Sequence, residues 1–308
     1  MLAVGVSLTV GLLYVGVTRV LPRVASGGLA RGALLALGVA CVGNLLARYA
    51  LAVLTNPGTD ASVAYARALA CRDPAALSAE EHAAADASVP PPLTTWSTCA
   101  RTGLAKPPRA HFDAASRRLV LNYDHFCPWI FNSVGYQNLR HFFAFLVWVW
   151  VSCTYGALLS LRPALEVLGS RPPPGGSPDR VLIVLMFALC QLLSLVMAVM
   201  LSSQVHLTGS GMTAVDQLVL ANRRLTFPDL PNPFDAGSVA ENLRGALTSS
   251  GSSWWELLAP SWPSRAALPA GEPFPGAFTP WSREAGLAAG STTGRGEEPR
   301  PGLSAKWG

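Results

Sequence analysis

Residues 99–146 read CARTGLAKPPRAHFDAASRRLVLNYDHFCPWIFNSVGYQNLRHFFAFL. Asp124, His125 and Cys127 lie within four positions of one another in this stretch. A cysteine thiolate is a strong nucleophile toward a thioester, but a free thiol is mostly protonated at neutral pH. A neighbouring imidazole can take that proton, and a carboxylate behind the imidazole fixes its tautomer and stabilises its charged form. Pro128 and Trp129 follow directly, and the proline stiffens the backbone after the nucleophile. Taken alone, Asp-His-x-Cys is equally a solvated Asp-His pair beside a buried cysteine, so the surroundings have to decide.

Outward from this stretch the chain becomes apolar. Of 308 residues, 50% are hydrophobic and only 13% charged, against about 25% charged in a soluble domain. A bilayer core about 30 Å thick needs roughly 20 apolar helical residues. Four segments meet that need: Leu2 to Thr18, Ala33 to Leu54, Phe142 to Leu161 and Val181 to Leu201. The first lacks a basic leader and a small-residue cleavage site, which favours a span over a signal peptide. Arg48 lies inside the second, where it can snorkel from near a helix end. The spans leave two short connections, 19–32 and 162–180, and two long stretches, 55–141 and 202–308. Each long stretch holds eight Lys/Arg against three in each short one, so total positive charge favours the long stretches inside; per residue, 19–32 is more basic. Net charge is +5, with no basic face or module of a nucleic-acid binder. The six cysteines, Cys41, Cys71, Cys99, Cys127, Cys153 and Cys190, make no CxxC pair, so neither a disulfide framework nor a ready-made zinc site is visible.

The run from Lys106-Pro-Pro-Arg109 through Asp124-His125-Phe126-Cys127-Pro128-Trp129 to Val134-Gly135, Asn138 and Phe142 resembles the cysteine-rich domain of the DHHC protein S-acyltransferases. Order and spacing match without a gap, and the family places this domain between its second and third membrane helices, where it falls here. Asn56-Pro57-Gly58 is similar to the family's Asp-Pro-Gly motif. Thr213-Ala214-Val215-Asp216 resembles its Thr-Thr-x-Glu motif. Asn232-Pro233-Phe234-Asp235-Ala236-Gly237 with Asn242 resembles the C-terminal motif in which an aromatic residue and an asparagine stabilise the fold. The resemblance covers roughly residues 1–245.

It implies an all-α integral membrane protein, a four-helix bundle with a cytosolic cysteine-rich-type domain between helices two and three. The implied division is 1–54 for the first two helices, 55–141 for the catalytic domain, 142–201 for the last two helices, 202–263 for the C-terminal motif region and 264–308 for a disordered tail. It also implies transfer of palmitoyl or a similar acyl chain from acyl-CoA to protein cysteine thiols, with Cys127 as nucleophile, His125 as base and Asp124 orienting it. Lys106 and Arg109 are candidate contacts for the CoA phosphates. Substrates would be palmitoyl-CoA and proteins with membrane-proximal cysteines, the surroundings an endomembrane (Golgi or endoplasmic reticulum) or the plasma membrane. The alternative is a catalytically inactive scaffold that binds partner proteins.

One departure is large. The family binds two zinc ions in this domain, each through three cysteines and a histidine. Here Cys99 remains, but Thr102, Phe112 and Leu119 replace the rest of the first set, and Asp113, Ser116, Phe126 and Ser133 stand in the second. A closed zinc site needs four ligands, so no zinc is expected. Apolar bulk at Phe112, Leu119 and Phe126 offers a small hydrophobic core in its stead.

Overall fold

The computed structural model describes residues 2–62, 65–66, 96–171, 173 and 176–248. Cys71, a short helix expected over 73–87, the tryptophans at 254, 255 and 262 and the tail over 264–308 lie outside the described residues. Within a bilayer, every backbone N–H and C=O must find its partner inside the segment, and a helix does this alone. The four apolar runs accordingly become helices. α1 (Leu2–Val15) passes through a π-helical turn, Gly16–Val20, into the short α2 (Leu21–Val24). α3 (Gly28–Leu54), α4 (Leu139–Gly169) and α5 (Pro178–Gly209) follow. The α1–α2 rod and these three are long and apolar enough to cross a membrane. α4 and α5 outrun the apolar segments read from sequence at both ends, and the first turn of α4 and the last turn of α5 lead into the polar regions of the chain.

α4 and α5 are the most extensively packed pair, and α3 lies against α4. Small residues set the approach. A Cβ on Gly156 would stand 2.8 Å from the Cys190 sulfur, and one on Gly38 would stand 3.2 Å from the Tyr155 ring. The Tyr155 hydroxyl donates across the same contact to the Leu34 carbonyl (2.7 Å). Val20, Ala157, Ala164, Ile183 and Met186 fill the centre of the bundle.

Between α3 and α4, residues 96–138 contain no helix. The expected helical bundle is found, but the domain beside it is built from three antiparallel hairpins: β1 (Ser97–Thr98) with β2 (Ala105–Lys106), β3 (His111–Asp113) with β4 (Arg118–Val120), and β5 (His125–Cys127) with β6 (Asn132–Val134). Leu119, Leu121, Ala110, Tyr136, Tyr65 and Cys99 form its core, with Phe112 packed on it.

Four local devices fasten this domain to the helices. Asn56 Oδ1 accepts from the Gly58 and Thr59 amides (both 2.9 Å), closing a turn at the end of α3. Gly58 takes a φ of +103°, and its carbonyl accepts from Leu121 N–H (3.0 Å) while that of Pro57 accepts from Gln137 (3.2 Å). Gly135 must be glycine, because a Cβ would meet Val120 at 2.6 Å and the Pro57 oxygen at 2.7 Å. Asn132 Nδ2 donates toward the carbonyls of Ala52, Val53 and Thr55 (3.1–3.3 Å). These belong to the helix end whose carbonyls have no intrahelical amide.

After α5, Thr213 caps α6 (Ala214–Arg224) through a reciprocal capping box with Asp216. α7 (Val239–Leu247) then folds back onto α5 and α4.

Candidate active site

A strand alternates its side chains between two faces. β5 therefore puts His125 and Cys127 on one face and Phe126 on the other. Asp124 is buried just before the strand, 2% exposed. Its Oδ2 lies 3.1 Å from His125 Nδ1, which leaves Nε2 as the ring nitrogen free of the carboxylate. The other oxygen, Oδ1, accepts from the Ala214 N–H, the first residue of α6. A helix N-terminus carries partial positive charge and favours an anion, so Asp124 is held in place from both sides. The His125 ring meets the edge of Phe142 with centroids 5.3 Å apart.

His125 and Cys127 are close enough to shift each other's protonation. Burial works against the charged imidazole, but Asp124 and Cys127 outweigh it and push His125 up to about 9. Burial likewise raises the Cys127 thiol. His125 and the backbone N–H groups of Ile130 and Trp129 more than reverse this and bring it below its ordinary value. Both shifts bias the pair toward thiolate and imidazolium, the form in which a cysteine is most nucleophilic.

Cys127 is seated on the membrane helices. It shares one apolar cluster with Ala52 of α3, Phe142 and Leu146 of α4, Ile130 and Val134. Tyr49 of α3 donates its hydroxyl to the Trp129 carbonyl (3.0 Å). The turn of this hairpin thus lies beside the last turns of a membrane-length helix, with Trp129 and Phe131 exposed.

The motif residues outside the stretch converge on the same domain. Asp216 Oδ2 accepts from Arg109 Nε (2.9 Å) and Nη2 (2.6 Å), and Nη2 also reaches the Gly211 carbonyl (2.9 Å). The Arg109 guanidinium stacks 4.4 Å above the Phe234 ring. Asn242 donates to Gly209 O (2.9 Å) and accepts from Ala236 N–H (2.8 Å). Arg109, expected from sequence to meet the CoA phosphates, is held here by protein partners. Its side chain is 7% exposed in an ion pair with Asp216, so it serves as a strut between the hairpins and α6. Lys106 on β2 is only half-buried and remains a candidate for an anion. Sequence reading missed Asn132, and it missed the Ala214 amide, a backbone donor that no residue type announces.

Residues 94–220 match the family model described as DHHC palmitoyltransferase. In this segment the chain is similar to a DHHC palmitoyltransferase domain. The comparison with curated proteins agrees. The chain is 27% identical over 191 residues to palmitoyltransferase PFA3 of Yarrowia lipolytica, covering 55% of this chain and 47% of that protein. It is 31% identical over 170 residues to palmitoyltransferase ERF2 of Eremothecium gossypii, covering 51% and 41%. A putative ZDHHC-type palmitoyltransferase 4 of Dictyostelium discoideum is 32% identical over 169 residues, covering 54% and 44%. The chain spans less than half the length of these relatives.

The zinc ions implied by the DHHC resemblance do not fit the residues present. Among the described residues no three His, Cys, Asp or Glu side chains converge as a metal-binding group, and Cys99 alone keeps a sulfur ligand. No step of the chemistry below is routed through metal.

Proposed function

We propose that this protein is a membrane-embedded protein S-acyltransferase that moves palmitoyl or a similar acyl chain from acyl-CoA to protein cysteines. The observation that carries the reading is the β5 hairpin itself: a buried Asp124 hydrogen-bonded to His125, with Cys127 on the same strand face as His125 and packed against two membrane-length helices. In the first step the Cys127 thiolate attacks the acyl-CoA carbonyl. The C–S bond to CoA breaks, and CoA thiolate leaves with a proton from His125. In the second step His125 takes the proton of an incoming protein thiol, that thiolate attacks the acyl-Cys127 thioester, and Cys127 leaves as thiolate. Asp124 holds the ring and stabilises its charged form throughout.

Burying an acyl chain is favourable by about 0.8 kcal/mol per CH₂, so an apolar groove reaching from Cys127 into the bundle would supply the binding energy. An apolar cleft lies deeper in the bundle between the α1–α2 rod, α3, α4 and α5, lined by Leu12, Gly38, Leu45, Ser152, Tyr155 and Met186, and we assign the acyl chain to it. Leu45 lies two helical turns along α3 from Ala52, which belongs to the same apolar cluster as Cys127. Lys106 is assigned to the CoA phosphates. The domain is assigned to the cytosolic side of an endomembrane or the plasma membrane, where acyl-CoA and substrate proteins with membrane-proximal cysteines are available.

The test is acyl labelling of purified protein with alkynyl-palmitoyl-CoA. Wild type is expected to acquire a hydroxylamine-labile label that Cys127→Ala loses. A folded wild type that takes no label would leave the non-catalytic scaffold as the reading.

A further inference from the structure

The eight positions at which zinc ligands would stand form two groups, and each group is filled by a different kind of interaction. At the first, Phe112 faces Leu119 directly across the β3–β4 ladder. Leu119 is fully buried, and both belong to one apolar cluster with Cys99, Tyr65, Ala110, Leu121 and Tyr136. Three of the four positions are thus parts of a hydrophobic core, and the fourth, Thr102, lies in the β1–β2 turn beside Cys99.

The second group is polar. Asp113 is 3% exposed and its carboxylate has four donors. Oδ2 accepts from Ser133 Oγ (2.8 Å) and the Ser116 amide (2.8 Å), and Oδ1 accepts from the Ala115 amide (3.1 Å) and the Tyr123 hydroxyl (3.3 Å). Ser116 closes the β3–β4 turn, whereas Ser133 lies on β6, directly opposite Phe126 of the catalytic strand. The carboxylate therefore cross-links the β3–β4 hairpin to the hairpin that carries Cys127, as a shared metal would. Phe126 itself is not part of a core, contrary to the expectation from sequence. It packs edge-on against Phe131, with centroids 6.0 Å apart, on the outer face of the hairpin.

We infer that this domain folds without metal, with the Phe112–Leu119 cluster in place of one ion and the Asp113 carboxylate, saturated by four donors, in place of the other. The chemistry is consistent throughout. Serine hydroxyls and a phenylalanine are not zinc ligands, while a buried carboxylate is stable when hydrogen bonds satisfy it. Burial would raise Asp113, but the bonds from Ser116, Ser133 and Ala115 outweigh it and hold the carboxyl below its usual range. The Tyr123 hydroxyl, raised to about 12 by burial and by Asp113, stays a donor.

The experiment uses full-length protein in lipid nanodiscs and reads metal content by mass spectrometry and melting temperature with and without a strong zinc chelator. Neither readout depends on acyltransfer. Well under one zinc per chain and an unmoved melting temperature are expected. One or two zinc ions per chain whose removal abolishes the melting transition would overturn the inference. Ser133→Ala, which removes a single donor, should fold and melt several degrees lower. Phe126→His should recruit no zinc. A Ser133→Ala protein that melts with wild type would remove the Asp113 network from this role.

Discussion

At the scale of single residues, His125 and Cys127 make a prediction about rate against pH. The raised imidazole, to about 9, and the lowered thiol mean that the thiolate persists at pH values where a free cysteine is protonated. Alkylation of Cys127 by iodoacetamide, followed by mass spectrometry, should therefore stay fast well below the pH at which an ordinary thiol slows. In His125→Ala the inflection should move upward. Identical profiles for the two proteins would show that the imidazole does not activate the thiol. His111 makes a prediction about stability. Burial, with Lys106 and Arg109 nearby, depresses it from 6.5 to about 4. Below pH 6.5 the unfolded chain binds a proton that the folded chain refuses until about pH 4. Stability is thus fully present above 6.5 and falls through that window. Melting temperature measured from pH 7.5 to 4.5 should decline in wild type and less so in His111→Gln.

The same residues show what a sequence reveals. Asp124, His125 and Cys127 were legible because their geometry is local: one strand aligns them. The ion pair of Arg109 was not legible, because its partner Asp216 is 107 residues further on. Asp124's second partner is an amide 90 residues away, and side-chain identity carries no trace of it.

At the scale of elements, the membrane helices were readable because a span is a long uninterrupted composition. The hairpins were not. Strands of two or three residues are too short to show the alternation that marks a strand, and the turns between them rely on non-glycine residues at positive φ: Arg117, Asn122 and Phe131. Phe131 is the least suited of these, since bulky residues rarely adopt that conformation. Phe131→Asn should relieve strain of about 1 kcal/mol, seen as a modest rise in melting temperature. The contact between the hairpins and α6 depends on the Arg109–Asp216 pair, with both side chains buried. Removing one partner of a buried pair costs about 3–5 kcal/mol. Arg109→Ala should lose most of that stability, and its folded fraction should keep its KM for acyl-CoA within twofold. A large rise in KM without loss of stability would return Arg109 to the CoA site.

At the scale of the whole molecule, the reactive centre is assembled from pieces held by different membrane helices. Asn132, Ile130 and Tyr49 fix the Cys127 hairpin to the end of α3 and the start of α4. The brace on Asp124 comes from Ala214, immediately beyond α5. The thiol and the carboxylate that orients its base are thus referred to different rods. Helices tilt to match the thickness of the hydrocarbon around them, and a change in tilt of α5 relative to α3 would open or close the angle between carboxylate and imidazole. On the proposed function, the thickness of the host bilayer would then set the rate of turnover. In vesicles of graded lipid length, the rate of Cys127 self-acylation should peak at one thickness and fall on either side. A level response across the series would mean that the tight α4–α5 contact at Gly156 and Cys190 makes the bundle tilt as one body.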